Sequence, residues 1–406
     1  MGVKPTVTDA LRSRLFLASC VALVATAMTF GIRADIMDAL GAEFHLSRER
    51  VGWIAGAAFW GFTVSMLVGG QLCDWIGMRW LLRVAFLGHI AGVAATIFAS
   101  GFAGLYTGTL MIGMANGFVE AAANPLIPTL YPDCKTERLN RLHVWFPGGI
   151  VIGGLIALGL TGMHFGWRIK MASILVPVLA YGWMFSREQL PSTERVQNNI
   201  PVRVMYRQLL RPGFLLLIFC ILLTAATELG PNQWIPSILT NSAGVSGIFV
   251  LVWISGVMAL GRGFAGLAVR RISPVALLVF STVLAAAGLF GLGTTNTPAT
   301  VMAAGTVYAL GVCYCWPTMY GITSERYPEG GALLLAVIGS AGMLSDAFIV
   351  PLIGRMYDMW GAQASLRAVA ILPCVVTFIF AAIWVRDRAR GGYRPVRLDA
   401  RTSPAE

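Results

Sequence analysis

The chain has 406 residues, of which 57% are hydrophobic and 12% charged, and its formal charge is +11. Soluble globular chains carry about 25% charged residues, so this composition rules out a conventional water-soluble domain. At about 150 residues per domain the length alone gives two or three units, but twelve helices of about 20 apolar residues each would use roughly 240 of them, leaving no room for a folded extramembrane domain.

Apolar segments fall at about residues 15–41, 50–72, 80–100, 104–131, 144–163, 167–186, 213–240, 246–268, 275–293, 298–325, 332–357 and 366–385. These are twelve predicted transmembrane helices. Near the start, Met1-Gly2 with Thr6 fits a myristoylation pattern and Leu17-Ala18-Ser19-Cys20 a lipoprotein cleavage box by letter only. Only Leu15 and Phe16 separate Arg14 from that box, whereas a signal peptide needs an apolar region of about 7–15 residues. The first stretch therefore reads as a retained helix. It carries Arg33, Asp35 and Asp38, and Asp35 is either a substrate ligand or the neutralising partner of Arg33.

Between the second and third spans stands Gly70-Gln71-Leu72-Cys73-Asp74-Trp75-Ile76-Gly77-Met78-Arg79. Glycines let two helix ends approach and turn, and Asp74 can hold a cation or a helix end in one of two gate states. Gly70, Asp74, Gly77 and Arg79 are thus a gating element. On the fourth span Asn116, Glu120 and Asn124 fall at i, i+4 and i+8, which puts two amides and a carboxylate on one stripe. His143 either binds substrate or caps the fifth span. Thr224, Glu228 and Asn232 repeat the spacing on the seventh, followed by Gln233 and Trp234. Arg262 on the eighth reads as the structural partner of Asp346 on the eleventh, and Tyr308, Trp316, Tyr320 and Ser324 form an aromatic and hydroxyl stripe on the tenth. Pro125 and Pro128 interrupt the fourth span, Gly230-Pro231 and Pro236 the seventh, and Pro317 the tenth. Corresponding breaks point to a site near the midplane. The pairs Gly52/Gly56, Gly104/Gly108, Gly113/Gly117 and Gly149/Gly153 read as packing seams.

The widest hydrophilic stretch, 187–211, divides six spans from six. The expected organisation is an all-α membrane protein with a six-helix bundle (1–186), a cytoplasmic loop (187–211), a second six-helix bundle (212–386) and a basic cytoplasmic tail (387–406). Trp53-Ile54-Ala55-Gly56 with Gly61 recurs as Trp253-Ile254-Ser255-Gly256 with Gly261, an offset of 200. Pro125 and Tyr131-Pro132 recur as Pro317 and Tyr327-Pro328 at offsets of 192 and 196. Three matches near half the chain length argue for two parallel repeats. With the N-terminus inside, 22 of the 30 bases fall on the inner side and 5 in outer loops, which places both termini in the cytoplasm. The positive charge thus reports topology and excludes nucleic acid as a partner.

The loop Gly70 to Arg79 resembles the signature of the major facilitator superfamily, in the expected place. A narrower likeness follows. Glu120-Ala121-Ala122-Ala123-Asn124-Pro125, then Arg138-Leu139-Asn140, and Trp316-Pro317-Thr318-Met319-Tyr320 are similar to the fucose permease branch of sugar/proton symporters, and Gly31, Asp38 and Phe44 keep its spacing on span one. That resemblance implies that Asp38 and Glu120 serve proton coupling and sugar binding. Arg33, Asp35, His143 and the seventh span, Glu228 to Trp234, depart from the branch. Sugar transport therefore carries over better than fucose itself.

Ionisable residues inside a span cost about 2.5–3.5 kcal/mol each at its centre, so each is a functional candidate. The interior set is Arg33, Asp35, Asp38, Glu120, Glu228, Arg262, Asp346 and Arg355. Five acids outnumber three arginines, and a carboxylate that gains and loses a proton as access alternates supplies proton coupling. The leading expectation is a multi-pass transporter of the bacterial inner membrane, monomeric, importing a sugar or related polyol by proton symport through a midplane cavity. Its expected substrate ligands are Arg33, Asp35, Asn116, Asn124, His143, Glu228, Asn232, Gln233, Trp234, Trp316 and Tyr320. The rival is an exporter or antiporter of a small amphipathic or anionic compound, whose fifth-span signature Phe146-Pro147-Gly148-Gly149 and Gly153-Gly154 echo with the glycine and proline reversed. A non-transporting sensor is the alternative from another class. The seven cysteines include no CxxC pair, no HExxH or GxSxG motif occurs, and the four histidines show no ligand spacing. No metal, cofactor or enzymatic activity is expected. On this reading Asp38→Asn abolishes gradient-driven uptake while counterflow stays measurable; wild-type accumulation in that variant would remove Asp38 from coupling.

Overall fold

The computed structural model describes residues 8–131, 135–192, 202–264, 272–327 and 330–394. Among the described residues every regular element is a helix. The first half runs α1 (Asp9–Glu43), α2 (Arg48–Ile76), α3 (Met78–Ile97), α4 (Phe102–Leu130), α5 (Lys135–His143), α6 (Trp145–Gly162), α7 (Trp167–Ser173) and α8 (Leu175–Ser186). The second runs α9 (Val202–Leu209), α10 (Pro212–Ala243), α11 (Gly247–Gly263), α12 (Pro274–Leu292), α13 (Pro298–Val312), α14 (Cys315–Arg326), α15 (Gly331–Trp360), α16 (Ala362–Val369) and α17 (Ile371–Ala389). Among the described residues eleven helical stretches are long and apolar enough to span a bilayer, and α11, at 17 residues, is a shorter twelfth.

Three predicted spans arrive as helix pairs, α7 with α8, α13 with α14, and α16 with α17, while the fifth predicted span is α6, with α5 joined to it ahead of the expected start at 144. Their junctions lie at Val144, Ile174, Tyr314 and Ala370, each three residues before a proline, namely Pro147, Pro177, Pro317 and Pro373. Proline cannot donate to the carbonyl four residues back, so the ladder breaks there. The junction residues keep right-handed helical dihedrals, and each pair still runs as one rod. Two expected interruptions do not occur. α4 continues through Pro125 and Pro128 to Leu130, and α10 through Pro231 and Pro236 to Ala243. The expected central loop contains the short helix α9, while its Arg195, Asn198, Asn199 and Pro201 lie outside the described residues. The last helix extends past the predicted end at 385 to Ala389.

Caps and turns fix the ends. Thr8 accepts the Leu11 N–H at the start of α1, Ser47 the Arg50 N–H at α2, and Ser273 the Ala276 N–H at α12. Gly77, at φ 84°, sits in the left-handed region between α2 and α3, where a side chain would be strained. The Arg79 guanidinium donates to the Ser186 carbonyl (3.3 Å), and Arg14 pairs with Glu188 (3.2 Å). The α2–α3 turn, the start of α1 and the end of α8 therefore share one face, the terminal face. The opposite side is the far face.

Close helix approach depends on glycine, since van der Waals packing replaces the hydrophobic effect between helices in lipid. A Cβ on Gly113 would lie 2.0 Å from the Ala58 carbonyl oxygen, and one on Gly61 2.3 Å from that of Leu110, which seals α2 to α4. α2 also packs on α15 of the other half, where a Cβ on Gly52 would reach the Pro351 Cα at 2.6 Å and one on Gly56 the Ala347 oxygen at 2.8 Å. The predicted seams at Gly104/Gly108 and Gly149/Gly153 are packed against Ala99, Thr96, Ala27 and Met28. Gly113→Val is expected to lower stability by about 1–3 kcal/mol, whereas Gly159→Ala, with nothing within 4 Å of the added carbon, stays within about 0.5 kcal/mol; thermal unfolding in detergent compares them.

Candidate functional site

An α-helix advances 100° per residue, so positions four apart drift by about 40°. Over Asn116, Glu120 and Asn124 that drift separates the predicted stripe into two environments. Asn116 points into the first half. Its Nδ2 donates to Thr29 Oγ1 (2.9 Å), and its Oδ1 faces His89 Nε2 (2.7 Å), whose Nδ1 meets the Tyr181 hydroxyl (2.8 Å). An amide oxygen only accepts, so Nε2 carries the shared proton. Asn116 is thus a bundle-core residue and not a substrate ligand. His89 escaped the sequence reading; a lone histidine within an apolar span was the signal for it.

Glu120 and Asn124 turn the other way. Asn124 Nδ2 donates to Glu120 Oε2 (3.2 Å), and His143 Nε2 donates to Asn124 Oδ1 (3.1 Å). His143 is therefore tied to α4 and does not cap the helix that follows. From the second half, Arg262 lies near enough for its charge to act on His143, and Tyr320 lies near enough to feel that of Glu120. The Trp316 and Tyr320 rings stack with centroids 5.9 Å apart and planes at 25°. The side chain of Ser324 lies outside the described residues.

Arg262 does not pair with Asp346. Its Nη2 lies 2.9 Å from Glu228 Oε1, with side chains only 11% and 5% exposed. Its Nε donates to the Cys313 carbonyl (3.0 Å), the group that Pro317, four residues on, leaves without a helical donor. The released carbonyl and Glu228 together fix the guanidinium. Asp346 is fully buried on α15; Glu228 and the Gly230 N–H are the polar groups it faces, and neither of its oxygens makes a hydrogen bond of ordinary geometry. Tyr308 is likewise structural. Its hydroxyl donates to the carbonyls of Thr227 and Glu228 (2.9 Å each), and the first of these is the one Pro231 releases. This contact supplies the partner that Pro231 removes from α10.

Several expected ligands lie at the seam between the halves toward the far face. Arg33 Nε donates to Gln233 Oε1 (2.8 Å), and its guanidinium lies 4.7 Å from the Phe30 ring centroid. Asp38 accepts from Ser237 Oγ (2.5 Å) and Asn241 Nδ2 (2.9 Å). The Asp358 carboxylate accepts the N–H groups of Arg48 (3.3 Å) and Glu49 (3.0 Å), capping α2 from the opposite half. The far side is closed by these ties. Asp35 pairs with Lys170 at 2.5 Å and does not neutralise Arg33. Trp234 is 1% exposed, donates to the Val350 carbonyl and meets Tyr357 edge-on, so it packs the second half and cannot stack on a substrate. Asn232 is buried with its Oδ1 unpartnered, and Arg355 is exposed. On the terminal side a Cβ on Gly70 would touch Ala336 of α15 at 3.7 Å, while the side chain of Asp74 lies outside the described residues.

The family model "Major Facilitator Superfamily" matches residues 15–273. The chain is 23% identical over 371 residues to a protein of Bacillus subtilis (strain 168) named for niacin and nicotinamide transport, NiaP, covering 87% of this chain and 91% of that one. It is 26% identical over 371 residues to the 3-(3-hydroxy-phenyl)propionate transporter of Escherichia coli (strain K12), covering 86% and 87%. Among solved structures, the partially occluded inward open conformation of the xylose transporter XylE from E. coli superposes with a TM-score of 0.77 at 14% identity, covering 92% of this chain and 98% of that one. At that identity the likeness is one of fold.

Removing one member of a buried ion pair costs about 3–5 kcal/mol, because the other charge is left uncompensated. Glu228→Ala is expected to lower stability by that order, and Asp346→Asn to leave it level or raise it. Equal losses in thermal unfolding would restore Asp346 as the partner of Arg262.

Proposed function

Because the chain belongs to the major facilitator superfamily, we propose that it is a proton-coupled secondary transporter of a small carboxylate borne on an aromatic ring. The observation that carries this reading is Arg262, its side chain only 11% exposed, held between Glu228 and the Cys313 carbonyl with its charge felt at His143. A guanidinium in a dry setting is matched to a carboxylate. The stacked Trp316 and Tyr320 offer flat apolar surface to a ring. Niacin, one of the two compounds for which the first relative is named, and 3-(3-hydroxyphenyl)propionate, for which the second is named, each join a carboxylate to an aromatic ring, while nicotinamide, the first relative's other compound, carries a neutral amide on the same ring.

Charge balance supplies the coupling. Glu228 already neutralises Arg262, so an arriving carboxylate puts two acids beside one guanidinium, and one of them has to carry a proton. Glu120, hydrogen-bonded through Asn124 to His143, is the second carboxylate on that route. Asp38, tied to Ser237 and Asn241, acts in far-side closure. The ties Arg33–Gln233, Asp38–Ser237 and Asp358–α2 part when the halves rock to open the far face, with Gly70, Asp74, Gly77 and Arg79 serving the opposite gate. The distribution of bases puts both termini in the cytoplasm, and a monomer suffices for the cycle.

Sugar import is the second reading. It is favoured by the likeness of Glu120 to Pro125 and of Trp316 to Tyr320 to the fucose permease branch. Uptake into proteoliposomes of labelled nicotinate, 3-(3-hydroxyphenyl)propionate, L-fucose and D-xylose separates the two. The expected result is accumulation of a carboxylate under an inward proton gradient, its collapse with a protonophore, and about tenfold or greater loss in Arg262→Gln. Glu120→Gln is expected to retain counterflow and lose accumulation. Uptake confined to the sugars would overturn the carboxylate assignment, and accumulation indifferent to the protonophore would overturn proton coupling.

A further inference from the structure

Where α14 and α17 reach the terminal face, a cavity of about 410 Å³ is lined by Arg326, Tyr327, Asp387, Arg390, Gly392 and Arg394. Its shape follows from the end of α17. Gly391 and Gly392 take positive φ, 89° and 100°, and the Gly392 N–H donates to the Asp387 carbonyl (2.9 Å). The chain thereby doubles back and brings Arg394 beside the last helical turn. The Tyr393 hydroxyl donates to Glu325 (2.6 Å), and the Arg326 guanidinium lies 5.0 Å from the Tyr393 ring centroid.

The charges do not balance. Asp387 pairs with Arg326 and Glu325 accepts from Tyr393, whereas among the described residues neither Arg390 nor Arg394 has an ion-pair partner. Arg386 adds further positive charge around Tyr327. Three arginines therefore line the space against one carboxylate that is already paired, and the volume is far more than a single water needs.

Depth in the membrane narrows the ligand. On α17 Phe378 is 77% exposed and Val385 62%, so its outward surface is apolar up to Val385. Arginines begin at Arg386, and Arg388 lies 5.8 Å from the Trp384 ring centroid. This sequence of apolar surface, aromatic ring and arginine marks the boundary between hydrocarbon and headgroups. We propose that the cavity binds the phosphate of an anionic phospholipid from the adjoining leaflet, with Arg390 and Arg394 as its charge partners and Arg326 shared with Asp387. Guanidinium forks suit phosphate oxygens, and basic pockets between membrane helices suit anionic headgroups. Occupancy would bear on α14, which Arg326 ties to α17 and which carries Trp316 and Tyr320.

The test is native mass spectrometry of the full-length protein released from bilayers of equal phosphatidylglycerol and phosphatidylcholine. The wild type is expected to retain phosphatidylglycerol in preference. Arg390→Gln with Arg394→Gln is expected to retain it on the order of tenfold less, whereas Arg203→Gln with Arg207→Gln, on α9, keeps wild-type retention. Arg394→Lys alone, which preserves the charge, keeps most of the binding and guards against a folding defect in the double variant. Equal retention in the double variant and the wild type would overturn the site. Displacement of the lipid by low-millimolar inorganic phosphate would overturn the lipid as its source in favour of a free anion.

Discussion

Inside a bilayer no water is available to a backbone group that loses its helical partner, so each such group has to find one within the protein. This constraint organises the second half. Pro317 and Pro231 each release a carbonyl, at Cys313 and Thr227, and the two are taken by Arg262 and Tyr308. Arg262 thereby acquires a fixed position beside Glu228, and its charge becomes part of the centre of the molecule. What begins as the repair of a broken helix ends as the placement of the group on which substrate recognition is proposed to rest.

The same accounting explains the far-side closure. The first N–H groups of a helix have no partner within it, and at α2 two of them are accepted by Asp358 from the other half. Arg33 with Gln233, and Asp38 with Ser237 and Asn241, join the halves along α1 and α10. These bonds are made between bodies rather than within them. They hold one arrangement of the halves without stiffening either half, which is what a gate between two conformations requires.

The fold was largely legible because its signals are one-dimensional. Apolar length marked the spans, whereas of the expected proline breaks only the one at Pro317 falls at a junction, and the junctions before Pro147, Pro177 and Pro373 were not anticipated. The site was legible only in part. Glu120, Asn124 and His143 share a string of hydrogen bonds and Trp316 stacks on Tyr320, but Asn116 lies on the same nominal stripe as Glu120 and faces inward, since a 40° drift per step is enough to change its neighbours. Trp234 has the composition of a sugar platform, and only the approach of Val350 and Tyr357 reveals it as packing. The sequence reading paired Arg262 with Asp346, and the structure pairs it with Glu228, because nothing in the sequence alone separates the two carboxylates. What separates them is the carbonyl at Cys313, a consequence of helix geometry that no letter of the sequence records.

The string from Tyr181 through His89 and Asn116 to Thr29 connects α8, α3, α4 and α1 by three short hydrogen bonds, and Thr29 donates onward to the Thr26 carbonyl. Each link joins two helices, so shearing any of the four past its neighbour would break a buried bond where no solvent could replace it. The first half is thus built as a lever and not as a sleeve. Glu120, one turn beyond Asn116 on the same helix, is carried by that lever, and any motion that changes which face of the membrane it meets has to be a rotation of the whole body about its contacts with α10, α11 and α15.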